Sequence, residues 1–294
     1  MITKELISQE FQKIQNDICS ALSAETGQDY LEDRWDYQAG DGGGITRIFQ
    51  REIIEKGGVN FSSLSGTLSE KMAGKLKGGN DREFYATGLS LVIHPVNPFI
   101  PTIHMNIRYL ERGGKQWFGG GIDLTPYYIN KENIILFHQQ LKMVCVRHSP
   151  DYYPKFKKNC DDYFYIKHRE EARGVGGIFF DYLSDNPEDN FEFVCAVGRV
   201  FNSLYIPLIA KYKNKPFTEK EKDFQLFRRG RYVEFNLVYD RGTLFGLETK
   251  GRIESILMSL PPEVKWNYDW QPEPNSTEAE LVDFLKPRNW TDLD

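Results

Sequence analysis

Cysteine is scarce: the 294 residues contain four, Cys19, Cys145, Cys160 and Cys195. No two lie at C-x-x-C spacing, which excludes the familiar thiolate zinc and iron–sulfur motifs and reads as isolated thiols in a reducing cytoplasm. An excess of one charge is also lacking. Lys and Arg number 37 against 42 Asp and Glu, a formal net charge of −5, so no basic surface for nucleic acid or anionic membrane is expected. No apolar run reaches the roughly 18 residues expected of a membrane span. The opening residues, MITKELISQEF, lack the apolar stretch and small-residue cleavage site of a secretory leader, and a cytoplasmic protein is expected. Missing too are the Lys-Ser/Thr of a phosphate-binding loop, the dinucleotide-binding glycine fingerprint, the G-x-S-x-G hydrolase elbow and any helical H-x-x-x-H pair. Nucleotide-dependent and serine-hydrolase chemistry therefore have no footing, and no redox-cofactor fingerprint is present.

What is there suits a globular core. Hydrophobic residues make up 40% and aromatics 14%, enough to exclude disorder. The length allows one large domain or two small ones, and no repeat or low-complexity linker divides the chain. Lys4 to Ala24 reads as a helix, with Ile7, Phe11, Ile14, Ile18 and Leu22 in one stripe. Leu31 to Tyr37 reads as extended. Gly40 to Arg47 (GDGGGITR) reads as a mobile loop near a ligand, and strands over Thr46 to Glu55 and Val59 to Leu64 are expected to join at Lys56-Gly57-Gly58. Helices are expected from Lys131 to about Arg147 behind an Asn130 cap, from Pro154 to about Ala172, and over most of Pro187 to Lys213 with a kink at Pro207. Thr218-x-x-Glu221 and Thr277-x-x-Glu280 read as capping boxes that open two more, the last through Leu285. Strands are expected at Gly176 to Leu183, Arg231 to Tyr239 and Gly246 to Arg252, with a short helix or turn at Ser255 to Ser259. Strands cluster in hairpins and helices in blocks, without βαβ alternation. The class expected is α+β, a large, mainly antiparallel sheet covered by helices.

The most informative stretch runs from Gly88 to Tyr128. Leu89 to His94 reads as a short strand, and 102–110 with 115–125 as a hairpin turning at Arg112-Gly113-Gly114-Lys115. Thr102 to Tyr109 alternates strictly. Ile103, Met105, Ile107 and Tyr109 face a core, while Thr102, His104, Asn106 and Arg108 share the other face. An imidazole, an amide and a guanidinium in a row suit the floor of an anionic ligand site; an ordinary polar sheet face is the alternative. Gly119-Gly120-Gly121 fits either bare backbone beneath a ligand or a bulge, with Asp123 beside it. His94, His104 and Asp123 together have the composition of a two-histidine, one-carboxylate iron site. His168 near a helix end equally suits the helix dipole. Arg228-Arg229-Gly230-Arg231 suits surface or interface ion pairs. Arg252, in Lys250-Gly251-Arg252, suits a carboxylate ligand, because glycine lets a backbone N–H approach the same group. These residues predict a flat ligand with anionic arms, and no particular reaction.

Four runs carry a resemblance: LVIHPVNP…PTIHMNIRY (91–109), FGGGIDLTPYY (118–128), KHREEARGVGGIFFDYL (167–183) and RRGRYVEFNLVYDRGTLFGLETKGRIESILMSLPP (228–262). With GGGITR and GVNFS upstream, the chain resembles the oxygen-dependent coproporphyrinogen III oxidases of haem biosynthesis over nearly its whole length. The resemblance implies a single domain over 1–294, an antiparallel sheet with helices on both faces, and a homodimer that associates through 232–266. It implies oxidative decarboxylation of two propionates of coproporphyrinogen III to vinyl groups, giving protoporphyrinogen IX. Dioxygen would be the co-substrate, with no organic cofactor. By position it implies substrate contacts from Ser90, Asn106, Arg108, Lys250, Gly251 and Arg252. It implies a proton donor in His104 and a carboxylate, Asp123, facing the pyrrole N–H groups, with Arg108 holding a propionate beside them. It also implies a divalent metal on His94, His104, His138 and His168 in bacterial members. Val96 and Lys250 depart from the arginine and glycine found in some relatives. The competing readings are a metal-dependent oxygenase built on His94, His104 and Asp123, and a non-catalytic tetrapyrrole-binding dimer.

Overall fold

The computed structural model describes residues 2–74, 81–248 and 251–292. Among these, seven strands form one antiparallel sheet: β1 (Leu31–Asp36), β2 (Gly40–Phe49), β3 (Ile54–Thr67), β4 (Glu83–Pro95), β5 (Thr102–Arg112), β6 (Lys115–Thr125) and, beside β6, β9 (Gly176–Leu183). Between them in sequence, β7 (Tyr165–Ile166) and β8 (Glu171–Ala172) make a separate small ribbon. The helices are α1 (Lys4–Thr26), α2 (Glu70–Ala73), α3 (Lys131–Val146), α4 (Tyr152–Tyr163), α5 (Pro187–Arg199), α6 (Phe201–Tyr212), α7 (Glu219–Val238), α8 (Arg241–Glu248), α9 (Ile253–Leu257) and α10 (Thr277–Phe284). The class is α+β, as expected. The hairpin between β5 and β6 turns in two residues, Gly113 and Gly114, at φ 56° and 68°. Glycine enters that left-handed region without a Cβ clash, so Arg112 pairs directly with Lys115.

One face of the sheet carries the main core. From β5 it receives Ile103, Met105, Ile107 and Tyr109, the apolar set of the alternating strand. α1 lays Ile7, Phe11, Ile14 and Ile18 on it, and α5 and α6 add Phe193, Val197, Phe201 and Leu204. Each such large apolar side chain stabilises by about 1.5–3 kcal/mol on full burial. Gln15, fully buried in α1, donates from Nε2 to the carbonyls of Ile45 and Val59 at 2.8 Å each, which fixes α1 over β2 and β3. By length and composition the α5–α6 stretch, Pro187–Tyr212, is apolar enough to cross a membrane, a run the sequence reading did not register. More than half of that window is buried against the core.

The opposite face is covered only in part, by α7, α8 and α9. Tyr232 of α7 meets the His94 ring edge-on at 5.2 Å. Gln225 Nε2 and Arg229 Nη2 both donate to the Pro95 carbonyl. α9 is clipped to the sheet by Ser255, whose Oγ lies 2.7 Å from Thr46 Oγ1 and whose carbonyl accepts from Asn60 Nδ2 at 2.9 Å. Just after α9, Met258 sits where a side chain at position 58 would be: a Cβ on Gly58 would lie 1.4 Å from its sulfur.

Several expected elements differ. Gly40–Gly44 is part of β2, paired with Ser62–Gly66, and not a loop. Its glycines are required by packing, since a Cβ on Gly44 would lie 2.3 Å from the Trp35 ring. The β2–β3 turn falls at residues 50–53, so Lys56-Gly57-Gly58 lies inside β3, where Gly58 makes room for Met258. The helix from Tyr152 ends at Tyr163, not near Ala172; β7, a 3-10 turn and β8 follow. The 187–213 helix breaks at Val200 and not at Pro207, which α6 carries inside it. Arg231 to Val238 is helical, with Tyr239 as its C-cap, because the Thr218/Glu221 capping box starts α7 and its buried residues, among them Arg229, Tyr232, Val233 and Asn236, recur at helical spacing. Gly246 to Glu248 belongs to α8; residues 249 and 250 lie outside the described residues. The last helix is capped by Ser276, not Thr277.

The Gly58–Met258 contact makes a prediction. Gly58→Ala drives a methyl into the Met258 thioether and lifts α9 from the sheet. Urea unfolding is expected to show a loss of about 1–3 kcal/mol, the scale of overpacking, and limited proteolysis should cut sooner within 241–260.

Candidate active site

Cross-strand partners share a face of the sheet, so the partly covered face resolves into rungs, three of which carry the predicted residues. The first runs through Gly58, Val92, His104, Asp123 and Gly177. The second runs through Asp33, Thr46, Asn60, Ser90, Asn106 and Gly121, from β1 to β6. The third runs through Trp35, Gly44, Ser62, Gly88, Arg108 and Gly119. Small side chains on the last two rungs keep this part of the face low. Ser90 is exposed, Asn106 half-buried, and the Arg108 side chain 32% exposed.

A chain of hydrogen bonds runs from beneath this surface up to it. Arg173, just ahead of β9, donates from Nη2 to both oxygens of Asp123 at 2.8 and 2.7 Å, and from Nη1 to Asn236 of α7 at 2.9 Å. Its guanidinium lies 3.9 Å from the Phe164 ring centroid, 4.6 Å from Tyr232 and 4.9 Å from Phe235. Asp123 is 1% exposed. Burial pushes its carboxyl up, but the charge of Arg173 and the hydrogen bond from His104 outweigh that and hold it below the ordinary value. An ionised carboxylate only accepts, so His104 Nδ1, 2.7 Å from Asp123 Oδ1, carries a proton and donates it. Asn106 Oδ1 accepts from Arg108 Nη1 at 2.8 Å, which turns its amide nitrogen toward His104 Nε2 at 3.3 Å. The neutral ring therefore presents Nε2 as acceptor, in the row with Asn106 and Arg108. A second carboxylate, the half-buried Asp240, accepts from Tyr163 Oη, Thr243 N and Thr243 Oγ1. Burial raises it, but the Thr243 hydrogen bonds and the charge of Arg173 hold it low.

Arg108 also pairs with Asp181, Nη2 to Oδ2 at 3.0 Å. The pair lies across Gly119, where a Cβ would sit 2.7 Å from Asp181 Oδ1 and 2.9 Å from Arg108 Nη2. Asp181 reaches it because β9 shifts register opposite 118–120, with Tyr182 at φ 58°. The expected bare backbone at Gly119–Gly121 is thus occupied by the protein's own groups: the ion pair over Gly119 and the Phe180 and Phe179 rings against Gly120 and Gly121. Arg252 opens α9 and pairs with Asp33 of β1, Nη2 to Oδ2 at 2.5 Å, which brings it to the β1 end of the second rung. The Gly251 N–H donates to the Gly246 carbonyl at 2.9 Å and not outward to a ligand. Lys250 lies outside the described residues.

The four histidines expected to share a metal do not converge. His94 is buried between Thr102 Oγ1 and the Ser259 carbonyl. His138 lies between Tyr153 Oη and the Val175 carbonyl, stacked on Trp290. His168 lies between Tyr239 Oη and Glu234. In each, both ring nitrogens are already engaged. The iron set of His94, His104 and Asp123 fails for the same reason, since Asp123 is occupied by Arg173 and His104, and His94 turns to Ser259. Among the described residues no group of three or more His, Cys, Asp or Glu is placed to hold a metal.

The sequence reading brought His104, Asn106, Arg108 and Asp123 together and missed Arg173, Asp181, Asp240 and Asp33. One signal for Arg173 was available: a lone cation between Ala172 and the apolar run from Val175 has to find a buried anion. The fold and this group define an α+β protein in which an imidazole, held by a buried ion pair, lies in one row with an amide and a guanidinium. A sequence model of the family described as Coproporphyrinogen III oxidase matches residues 6–290 of the 294. The chain belongs to that family, oxidoreductases of haem biosynthesis.

Two outcomes follow. Asp123→Asn leaves Arg173 buried without its counter-charge and frees the His104 ring; kcat is expected to fall about 10²-fold and the urea-derived stability by about 3–5 kcal/mol. Turnover within tenfold of the parent would remove Asp123 from this role. Glu234 of α7 accepts from His168, Arg169 and Trp266. Burial raises its carboxyl, but the hydrogen bonds from Arg169 and His168 and the charge of Arg231 hold it at about 2. The folded value is depressed, so its stabilisation is present above the unfolded value of about 4.3 and lost as pH falls toward about 2. Urea midpoints of Glu234→Gln should therefore lie below the parent's at pH 7 and converge on them near pH 2.

Proposed function

We propose that the chain catalyses the oxygen-dependent oxidative decarboxylation of two propionate arms of coproporphyrinogen III to vinyl groups, giving protoporphyrinogen IX. The observation that carries this reading is the row Ser90, Asn106 and Arg108, with Arg252 at the β1 end of the same face, set beside an imidazole held by a buried carboxylate. That is the recognition chemistry of a flat molecule with several carboxylate arms. For each arm the balance is propionate plus dioxygen plus one proton, giving vinyl, carbon dioxide and hydrogen peroxide. The C–C bond to the carboxylate breaks, a hydrogen with its electron pair leaves the carbon next to the ring, and dioxygen takes both electrons. No organic cofactor is required, because the reduced tetrapyrrole is itself electron-rich.

Arg108 and Arg252 hold carboxylates so that an arm cannot rotate away, and Asn106 and Ser90 hydrogen-bond the same groups. Asp123 is 1% exposed and already engaged by Arg173, so we assign the pyrrole N–H contact to His104 Nε2, which takes it when the Asn106 amide, 3.3 Å away, turns to the ligand, with Asp123 fixing the ring and its proton. His104 then takes or returns a proton at Nε2 while Asp123 stays ionised. We assign no step to a metal.

We further propose a cytoplasmic homodimer. The four cysteines are free and buried, as suits a reducing compartment. Leu237, Val238, Leu244, Leu247 and Ile253 are exposed within the 232–266 stretch, which suits association with a second copy.

The test is a single assay on the purified, chelator-treated chain, in air and under argon, reading vinyl product and peroxide. Both products are expected in air only. Binding without turnover in air would leave a tetrapyrrole-binding dimer instead. Turnover lost on chelation and restored by iron would favour a metal oxygenase. Arg108→Ala is expected to raise KM by about tenfold, the scale of one lost charge-assisted contact.

A further inference from the structure

We propose that Asp33 is an exchangeable counter-ion for Arg252. It holds the guanidinium while no substrate is present and yields it to one carboxylate of the arriving ligand. The proposal deepens the reading above and rests on it for the class of ligand, a porphyrinogen with several carboxylates.

Position comes first. Asp33 ends the second rung, on the same face as Ser90 and Asn106. A carboxylate there is what an anionic arm crossing that face would meet. Geometry comes second. The contact runs through one guanidinium nitrogen, Nη2, at 2.5 Å. The neighbouring Nε–H of Arg252 is buried and has no hydrogen-bond partner. A carboxylate approaching side-on engages Nε and Nη2 together, so a propionate has a contact to gain that Asp33 does not make. Exposure comes third. The two side chains are 35% and 32% exposed, and a pair so open to water is weakly held and screened by salt. The Asp123–Arg173 pair, at 2% and 2%, is the opposite case: both prongs closed, no water, no exchange.

The exchange has a direction. An arriving propionate must displace Asp33 and then sit near a displaced carboxylate of like charge, which weakens capture. Once the arm has lost carbon dioxide it is an uncharged vinyl group and no longer competes. Asp33 then takes Arg252 back, which favours release of the converted arm. Asp33 is thus a positioning residue that acts through Arg252 and touches no reacting atom.

The probe is coproporphyrin III, the oxidised tetracarboxylate, bound to the full-length chain at equilibrium and followed by fluorescence, alongside steady-state kinetics. Asp33→Asn is expected to tighten binding about three- to tenfold, the range set by removing one exposed charge. It should lower KM in parallel, without a matching rise in kcat. Asp33→Ser, which also removes the charge, should do the same, so that a folding defect in one variant does not decide the matter. In an Arg252→Gln background the gain should vanish. Unchanged or weaker binding in both Asp33 variants, or the same gain without Arg252, overturns the proposal. If the parent does not bind the tetracarboxylate, the ligand class fails and the proposal fails with it. If the parent binds and the variants match it, only the counter-ion falls.

Discussion

The contact between Arg173 and Asp123 is the one on which the rest of the site depends. Two charges at 2% side-chain exposure are costly to bury, and a lone one would be far worse. The pair is tolerated because its geometry is closed. Arg173 meets both carboxylate oxygens, reaches Asn236 with its other arm, and lies among three aromatic rings whose faces attract a cation. Those partners come from β6, from the end of α4 and from α7, while Arg173 itself lies on the approach to β9. One ion pair therefore ties the sheet to its covering helix. It also keeps Asp123 ionised, which forces the proton of His104 onto Nδ1 and leaves Nε2 as the ring's acceptor, beside Asn106. A packing decision deep in the molecule becomes a chemical property of the floor.

Above that buried pair the charges are arranged differently. Arg108 pairs with Asp181, and Arg252 with Asp33, each about a third exposed at the arginine. Each arginine on this face is in this way matched by a carboxylate of the protein's own. Fixed, buried charge sets the protonation state; open, screened charge is left where it can exchange. Under the proposed decarboxylation this separation is useful, since grip on an arm should weaken once its carboxylate has gone.

The glycines follow from the same economy of space. Gly58 admits Met258, and with it the clip that carries Arg252 to the face. Gly119 admits the flat Arg108–Asp181 pair. From sequence Gly58 suggests a turn between strands, and Gly119 either backbone bared for a ligand or a bulge. In the fold they are bared for the protein's own side chains, and the low floor beneath the substrate row is made by Ser62, Gly88 and Ser90 as well.

The strict alternation of Thr102 to Tyr109 was enough to divide β5 into a core face and a polar face, because side chains on an extended strand must alternate. The α1 stripe, the Gly113-Gly114 hairpin and the Thr218/Glu221 cap were legible for the same kind of reason: each is set by neighbours within a few residues. The 231–239 segment misled, because its alternation and aromatic content favour a strand while its fate was decided by a helix begun a dozen residues earlier and by the cage around Arg173. Arg173 and Asp123, 50 residues apart, and Asp33 and Arg252, at opposite ends of the chain, carry no mutual mark in the sequence. By itself the sequence determined the sheet class, the polar row and the family. Only the tertiary structure decided which carboxylate is buried, which histidine nitrogen accepts and which arginines are held in pairs, because ion pairing and burial are properties of what the fold brings together.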